Sequence, residues 1–230
     1  SGDHIRSASD LGVPLIGVGL YYGQGYFRRR LDRDGWQHED YIDVDHRSLP
    51  MRPALAQGVP VTVSVETRTG TISARVWQLA IGRNTLLLLD SNVEGNQPED
   101  RELTSRLYGG DDRVRIRQEL LLGVGGVRAL AALGIAPGVL HLNEGHSAFA
   151  PLEVVRQRMV VEGVDAWEAL CRVAAQVVFT THTPVPAGHD RFTAALVDEH
   201  LGPLRESLGV DRERFMGLGR VNPSDGGETF

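Results

Sequence analysis

The stretch GVLHLNEGHSAFAPLEVVRQRMVVEG, Gly138 to Gly163, changes from one period to another, and that change decides the fold. Its first six residues, Gly138 to Asn143, read as a short apolar strand. From Ala148 onward Leu152, Val155 and Met159 return at helical spacing. The next segment, VDAWEALCRVAAQ (164–176), reads as a second helix with Trp167, Leu170 and Ala174 on one stripe, and VVFTTHTP (177–184) opens as another apolar strand. Strand, helix, helix, strand in that order predicts parallel strands and an α/β fold. NEGH (143–146) and TTHTP (180–184) then lie just beyond the C-terminal ends of two strands, the edge at which open α/β sheets bind ligands. On that reading Asn143, Glu144 and His146 share a crevice with Thr181, His182 and Thr183.

The chemistry of that crevice has several readings. HLNEGH is close to the H-x-x-E-H zinc motif, but Gly145 stands between the glutamate and the second histidine. His141 and His146 are five residues apart, roughly 140° around a helix and on opposite faces of a strand. No single element presents both, so no metal site is expected. His141, inside the apolar run, is expected in the core, and Ser147 is expected to cap the helix that follows, with Pro151 in its first turn. For Glu144, His146 and His182, a turn-and-packing role and a sugar- or phosphate-binding role both remain open. Pro184 and Pro186 stiffen the segment after His182 and favour extended neighbours. Gly109-Gly110 before Asp111-Asp112 reads either as an ordinary turn or as a ligand loop.

Outside this region, LGVPLIGVGLYY (11–22) and TLLLLDSN (85–92) read as buried strands. VPVTVSVETRTGTISARVWQLAIG (59–82) alternates around a Thr69-Gly70 turn and predicts a β-hairpin. QELLLGVGGVRALAALG (118–134) has helical spacing weakened by glycines. The residues after Pro186 read as mixed loop.

Composition narrows the function classes. In 230 residues, 41% are hydrophobic and 23% charged, and the net charge is −6. That balance predicts a globular protein without general affinity for nucleic acid or anionic membranes. No apolar run approaches the roughly 18 residues of a spanning helix, and SGDHIRSASDLG has neither the basic start nor the apolar centre of a signal peptide. Cys171 alone permits no internal disulfide, which suits a reducing cytoplasm. All 24 basic residues are arginine. Without lysine this polypeptide cannot anchor pyridoxal phosphate as a Schiff base, nor form a Walker A loop.

Four motifs together carry a family resemblance: SASDLGVPLIGVGLYYGQGYFRRRLDRDGWQ (7–37), LYGGDDRVRIRQELLLGVGG (107–126), HLNEGHSAF (141–149) and FTTHTPVPAGHDRF (179–192). In that order the chain resembles α-glucan (glycogen/maltodextrin) phosphorylases of the shorter bacterial and archaeal form, over essentially its whole length. The resemblance implies a retaining glycosyltransferase of GT-B architecture, with residues 1–230 as a single Rossmann-like N-terminal domain, mostly parallel, with an inserted β-hairpin region. It implies phosphorolysis of terminal α-1,4-linked glucose from a glucan to glucose 1-phosphate. Its implied partners are α-1,4-glucan, orthophosphate, the C-terminal half of the same enzyme and, members often being dimers, a second copy.

By the same resemblance His182 contacts the glucose at the cleavage subsite and favours its oxocarbenium-like charge, with Thr183 beside it. Glu144 falls where long-form members carry an aspartate near the active site, and His146 orients the same network. Asp111 or Asp112 lies near the gating loop of the family, which is much shorter here. The glycine-rich phosphate loop is expected before residue 1, and the lysine holding pyridoxal phosphate after Phe230. The chain therefore reads as truncated at both ends, supplying one wall of a glucan cleft and inactive alone. The alternatives are a stand-alone glucan-binding or regulatory module, and a GT-B glucan synthase, whose lysine- and glycine-containing motif is not found here.

Overall fold

A computed structural model describes residues 2–107, 110–185 and 189–230. Gly109 of the Gly109-Gly110 turn and Pro186 of the proline-stiffened segment lie outside the described residues. The chain divides into two compact units, residues 1–62 with 74–109, and residues 63–73 with 110–230.

In the first unit, helix α1 (Gly2–Asp10) leads into strand β1 (Ile16–Leu20), and β2 (Arg28–Leu31) and β3 (Gln37–Asp40) pair as an exposed antiparallel hairpin. The short strands β4 (Arg52–Pro53), β5 (Leu55–Ala56) and β6 (Val59–Pro60) follow, then the predicted hairpin of β7 (Thr62–Thr67) and β8 (Gly70–Ile81), of which residues 63–73 belong to the second unit, and then strand β9 (Asn84–Asp90) and helix α2 (Pro98–Arg101). The main sheet has the order β1-β9-β8-β4, with β7 also pairing β8. Strands β1 and β9 are parallel, with Gly17 opposite Leu86 and Leu20 opposite Leu89, and only Leu20 of the β1 run expected to be buried is so. Strands β8 and β9 are antiparallel because only Gly82 and Arg83 separate them, and a tight turn can only reverse the chain. The sheet is therefore mixed rather than mostly parallel.

The second unit holds the decisive stretch. Helix α3 (Asp112–Leu120) passes through a π-helical turn (Leu121–Gly125) into α4 (Gly126–Ala132), and β10 (Leu140–Asn143) follows. After a 3-10 turn (Gly145–Ser147) come α5 (Ala150–Glu162), α6 (Ala166–Ala174) and β11 (Val177–Thr180). Strands β10 and β11 are parallel, with Asn143 opposite Thr180, as the strand–helix–helix–strand order predicts. Asp165 caps α6 by accepting from the amides of Trp167 and Glu168, and Gly163 ends α5 in the left-handed conformation that glycine tolerates best.

Four local expectations are corrected. Ser147 caps nothing: it lies in the 3-10 turn, and α5 starts three residues later with Phe149 at its cap position and Pro151 in its first turn. His141 is exposed and hydrogen-bonds Thr180 Oγ1 at 2.7 Å, because the two-stranded pair leaves one face to solvent. The buried stripe of α6 is Ala166, Ala169 and Val173, the small face that fits close against α5, whereas Trp167 is turned outward. Within the segment read as loop, α7 (Ala194–Ser207) and α8 (Arg212–Gly217) form, capped by Thr193 and Asp211. Pro203 lies inside α7 and hid its helical pattern.

Two interactions bind this unit together. Glu153, fully buried on α5, accepts two hydrogen bonds from Arg156 at 2.9 and 2.6 Å and one from Gln157, with Arg128 of α4 at 3.4 Å. Burial opposes its charge, but these partners outweigh that and hold its pKa below the ordinary value. The π-helical turn lies against the start of α5 so closely that a Cβ at Gly123 would come 2.8 Å from the Ala150 amide nitrogen. Gly123→Ala is expected to destabilise the protein by about 1–3 kcal/mol in chemical denaturation, whereas Gly138→Ala, in open space, is expected to leave it unchanged.

Candidate functional site

Glu144 is the first residue past β10, and its backbone is unusual for its type. It has φ +63° and ψ −176°, a region occupied almost entirely by glycine. Its amide donates to Thr180 O at 2.8 Å, continuing the strand ladder by one rung. Its side chain is buried and faces the segment leaving β11. One carboxylate oxygen accepts from the His182 amide (2.5 Å) and the Thr183 hydroxyl (3.2 Å), the other from the Thr181 hydroxyl (3.1 Å). The His182 amide bond, with those hydroxyls, holds the Glu144 pKa below the ordinary carboxylate value despite desolvation. His182 in turn lies 3.2 Å from Asn143 Oδ1 through its Nε2. Both strand ends are thus stitched together by the residues that the sequence placed there.

His146 belongs to a second cluster. Its Nδ1 lies 3.1 Å from Arg115 Nη2, 3.8 Å from Glu119 Oε1 and 3.7 Å from Asp190 Oδ2. The same Arg115 nitrogen donates to Asp190 Oδ2 at 2.8 Å. Burial, opposed by the His146 contact and reinforced by the nearby Asp190 carboxylate, pushes the Glu119 pKa from 4.5 up to about 7. Burial works against the Asp190 charge too, but hydrogen bonds from Arg115 and Glu119 outweigh it and leave its pKa below the ordinary value. Glu119 therefore holds the proton of this acid pair. The ligand atoms of Glu119, His146 and Asp190 lie within 4.8 Å of one another, close enough to bind an ion. A guanidinium nitrogen, however, already lies among them and supplies the compensating charge.

Among the expected site residues, the structure groups Asn143, Glu144, Thr183 and His182 around the strand ends, and places His146 in the arginine–carboxylate cluster. Asp111 has a different position, exposed at the start of α3, where its side chain accepts from the Val114 amide at 3.1 Å. Arg115, Glu119 and Asp190 were missed from sequence. The available signal was Gln118-Glu119, two polar residues at the start of an apolar run, both of which are buried.

With this geometry defined, relatedness identifies the class. The chain is 47% identical over 232 residues to the glycogen phosphorylase of Mycobacterium tuberculosis (strain H37Rv), covering 95% of this chain and 27% of that protein. It is 44% identical over 221 residues to the maltodextrin phosphorylase of Thermococcus litoralis, covering 96% of this chain and 26% of that protein. The glycogen phosphorylase of Aquifex aeolicus matches at 35% identity over 231 residues, covering all of this chain and 33% of the relative. No protein-family model matches. The chain is thus a homologue of the glycogen and maltodextrin phosphorylases, and it spans about a quarter to a third of the length of these curated relatives.

The two carboxyls predict opposite responses. Because the Glu119 pKa is raised on folding, its stabilising contribution is complete below about 4.5 and is lost as pH rises through about 7. Glu119→Gln should therefore gain stability relative to the parent between pH 5 and pH 8, by up to about 3 kcal/mol in paired denaturation curves; parallel curves would remove the assignment. At Glu144, substitution by Ala or Gly should speed exchange of the His182 amide at least tenfold, since its acceptor is gone. Glu144→Gly should melt at a higher temperature than Glu144→Ala, because only glycine occupies that backbone region without strain.

Proposed function

We propose that this chain is part of an α-glucan phosphorylase, a retaining glycosyltransferase that releases terminal α-1,4-linked glucose from glycogen or maltodextrin as glucose 1-phosphate. The observation that carries the proposal is the Glu144–His182 junction at the ends of two parallel strands, in a chain 47% identical to a glycogen phosphorylase. A stand-alone glucan-binding module is not favoured, because the relatives matched at 35–47% identity are phosphorylases by name.

In this proposal residues 1–230 belong to the N-terminal, Rossmann-like domain of a GT-B enzyme. They supply one wall of the glucan cleft, and the chain alone is inactive. The His182 ring donates from Nε2 to Asn143 Oδ1, so the neutral imidazole keeps its lone pair on Nδ1, an acceptor suited to a sugar hydroxyl. Glu144 fixes the His182 amide and the threonine hydroxyls on either side of that ring. His182 steadies the glucose as positive charge develops at the anomeric carbon, Thr183 and Asn143 line the same sugar subsite, and His146 and Asp111 belong to its surroundings. Orthophosphate and a second copy of the protein are the further partners, and the cytoplasm is the proposed compartment. No helix among the described residues is long and apolar enough to cross a membrane.

Pyridoxal phosphate is the cofactor this family implies, contributing a phosphate group that relays protons. The residues present do not fit its covalent attachment, because the chain contains no lysine. Its attachment is assigned to the C-terminal part of the enzyme.

In the full-length enzyme, His182→Ala is expected to lower kcat/KM for maltodextrin phosphorolysis by about a hundredfold or more, read as glucose 1-phosphate released. The 230-residue chain alone should release none. Activity of the chain alone would refute its dependence on the remaining part, and an unaffected His182→Ala enzyme would remove His182 from the site.

A further inference from the structure

We propose that Arg115 is a positioning residue that locks His146 as the Nε2–H tautomer, so that this ring meets a ligand as a hydrogen-bond donor. The inference starts from donor chemistry. A guanidinium has N–H groups and no acceptor, so the 3.1 Å contact between Arg115 Nη2 and His146 Nδ1 requires a lone pair on Nδ1. The proton of a neutral imidazole then resides on Nε2.

Arg115 is itself held in place, which makes the lock a built feature. Its Nη2 donates to Asp190 at 2.8 Å, its Nη1 lies 3.3 Å from Gln118 Oε1, and Glu119 stands 4.0 Å away on the next turn of α3. The arginine side chain is four-fifths buried, so water competes weakly for these bonds. Glu119 approaches the same histidine nitrogen at 3.8 Å. Asp190 stands 3.7 Å from it, so both carboxylates lie beyond hydrogen-bond reach of Nδ1 and Arg115, at 3.1 Å, is the partner within reach. The π-helical turn presses α3 and its continuation against Phe149 and Ala150, three and four residues past His146, which fixes the spacing between the arginine and the ring.

The His146 side chain is 41% exposed, so the ring is only partly covered. A group that it recognises must offer a hydrogen-bond acceptor. On the phosphorylase reading that group is a sugar hydroxyl accepting from Nε2, while His182 offers the opposite polarity through Nδ1. This last step rests on the proposed function; the tautomer does not.

Nitrogen NMR on the chain labelled with ¹⁵N-histidine tests the lock without any glucan. The His146 signal is assigned by its loss in His146→Gln. At neutral pH the parent should show Nδ1 as an unprotonated acceptor and Nε2 as protonated. Arg115→Met, which keeps bulk but has no donor, should raise the Nδ1–H population severalfold, and Arg115→Gln serves if the Met variant fails to fold. Arg115→Lys, again a pure donor, should restore the parent tautomer. A parent ring protonated mainly on Nδ1, or a tautomer ratio unmoved by both Met and Gln, would overturn the proposal whatever the substrate proves to be.

Discussion

A single carboxylate accepting hydrogen bonds from three successive residues holds the strand-end region together. Glu144 takes the Thr181 hydroxyl, the His182 amide and the Thr183 hydroxyl just where β11 gives way to irregular chain. An amide leaving a strand in a partly buried setting needs a partner, and charged acceptors are stronger than neutral ones. The parallel register brings Asn143 opposite Thr180, so Glu144 arrives level with the donors it must meet. Its glycine-like backbone is the cost of aiming the side chain across to the neighbouring strand. That such strain persists in a buried, fully bonded residue marks the position as over-determined by its surroundings.

Two glutamates of this unit show how environment divides one chemistry into two roles. Glu144 is surrounded by donors and is held as an anion, with its pKa depressed. Glu119 is buried beside another acid and holds a proton up to about pH 7. The difference does not lie in burial alone, since both side chains are largely shielded from solvent. It lies in what opposes burial: at Glu144 N–H and O–H donors outweigh it and favour the anion, whereas at Glu119 burial prevails and a second carboxylate reinforces it. His146 stands between such influences, with an arginine deciding the matter.

The fold was legible where period and order spoke together. Parallel pairing of β10 and β11 followed from a strand–helix–helix–strand sequence, and the hairpin of β7 and β8 from strict alternation around Thr69-Gly70. Finer features were less visible. The face of α6 that turns inward is lined by alanines, which carry little hydrophobic signal compared with Trp167. Helix α7 was obscured by Gly202 and Pro203, although the helix continues through both. At the site, the residues adjacent in sequence to the strand ends were found, because connectivity alone places them. Arg115 and Asp190 were not, since they reach His146 from positions 31 and 44 residues away, and no local pattern encodes such an approach.

The π-helical turn at Leu121–Gly125 also sets rotational phase. A π-turn accommodates one more residue than an α-turn, and each residue of a helix advances about 100° around its axis. The extra residue therefore decides which side of α3 is presented when α4 is fixed by its own packing. Arg115 and Glu119, four apart, share the side that meets His146. Had the turn been a continuous α-helix, the same two side chains would point about a quarter-turn away, with every residue type unchanged. What aligns the charged groups with the histidine is thus an irregularity in winding, and the spelling of α3 alone does not contain it.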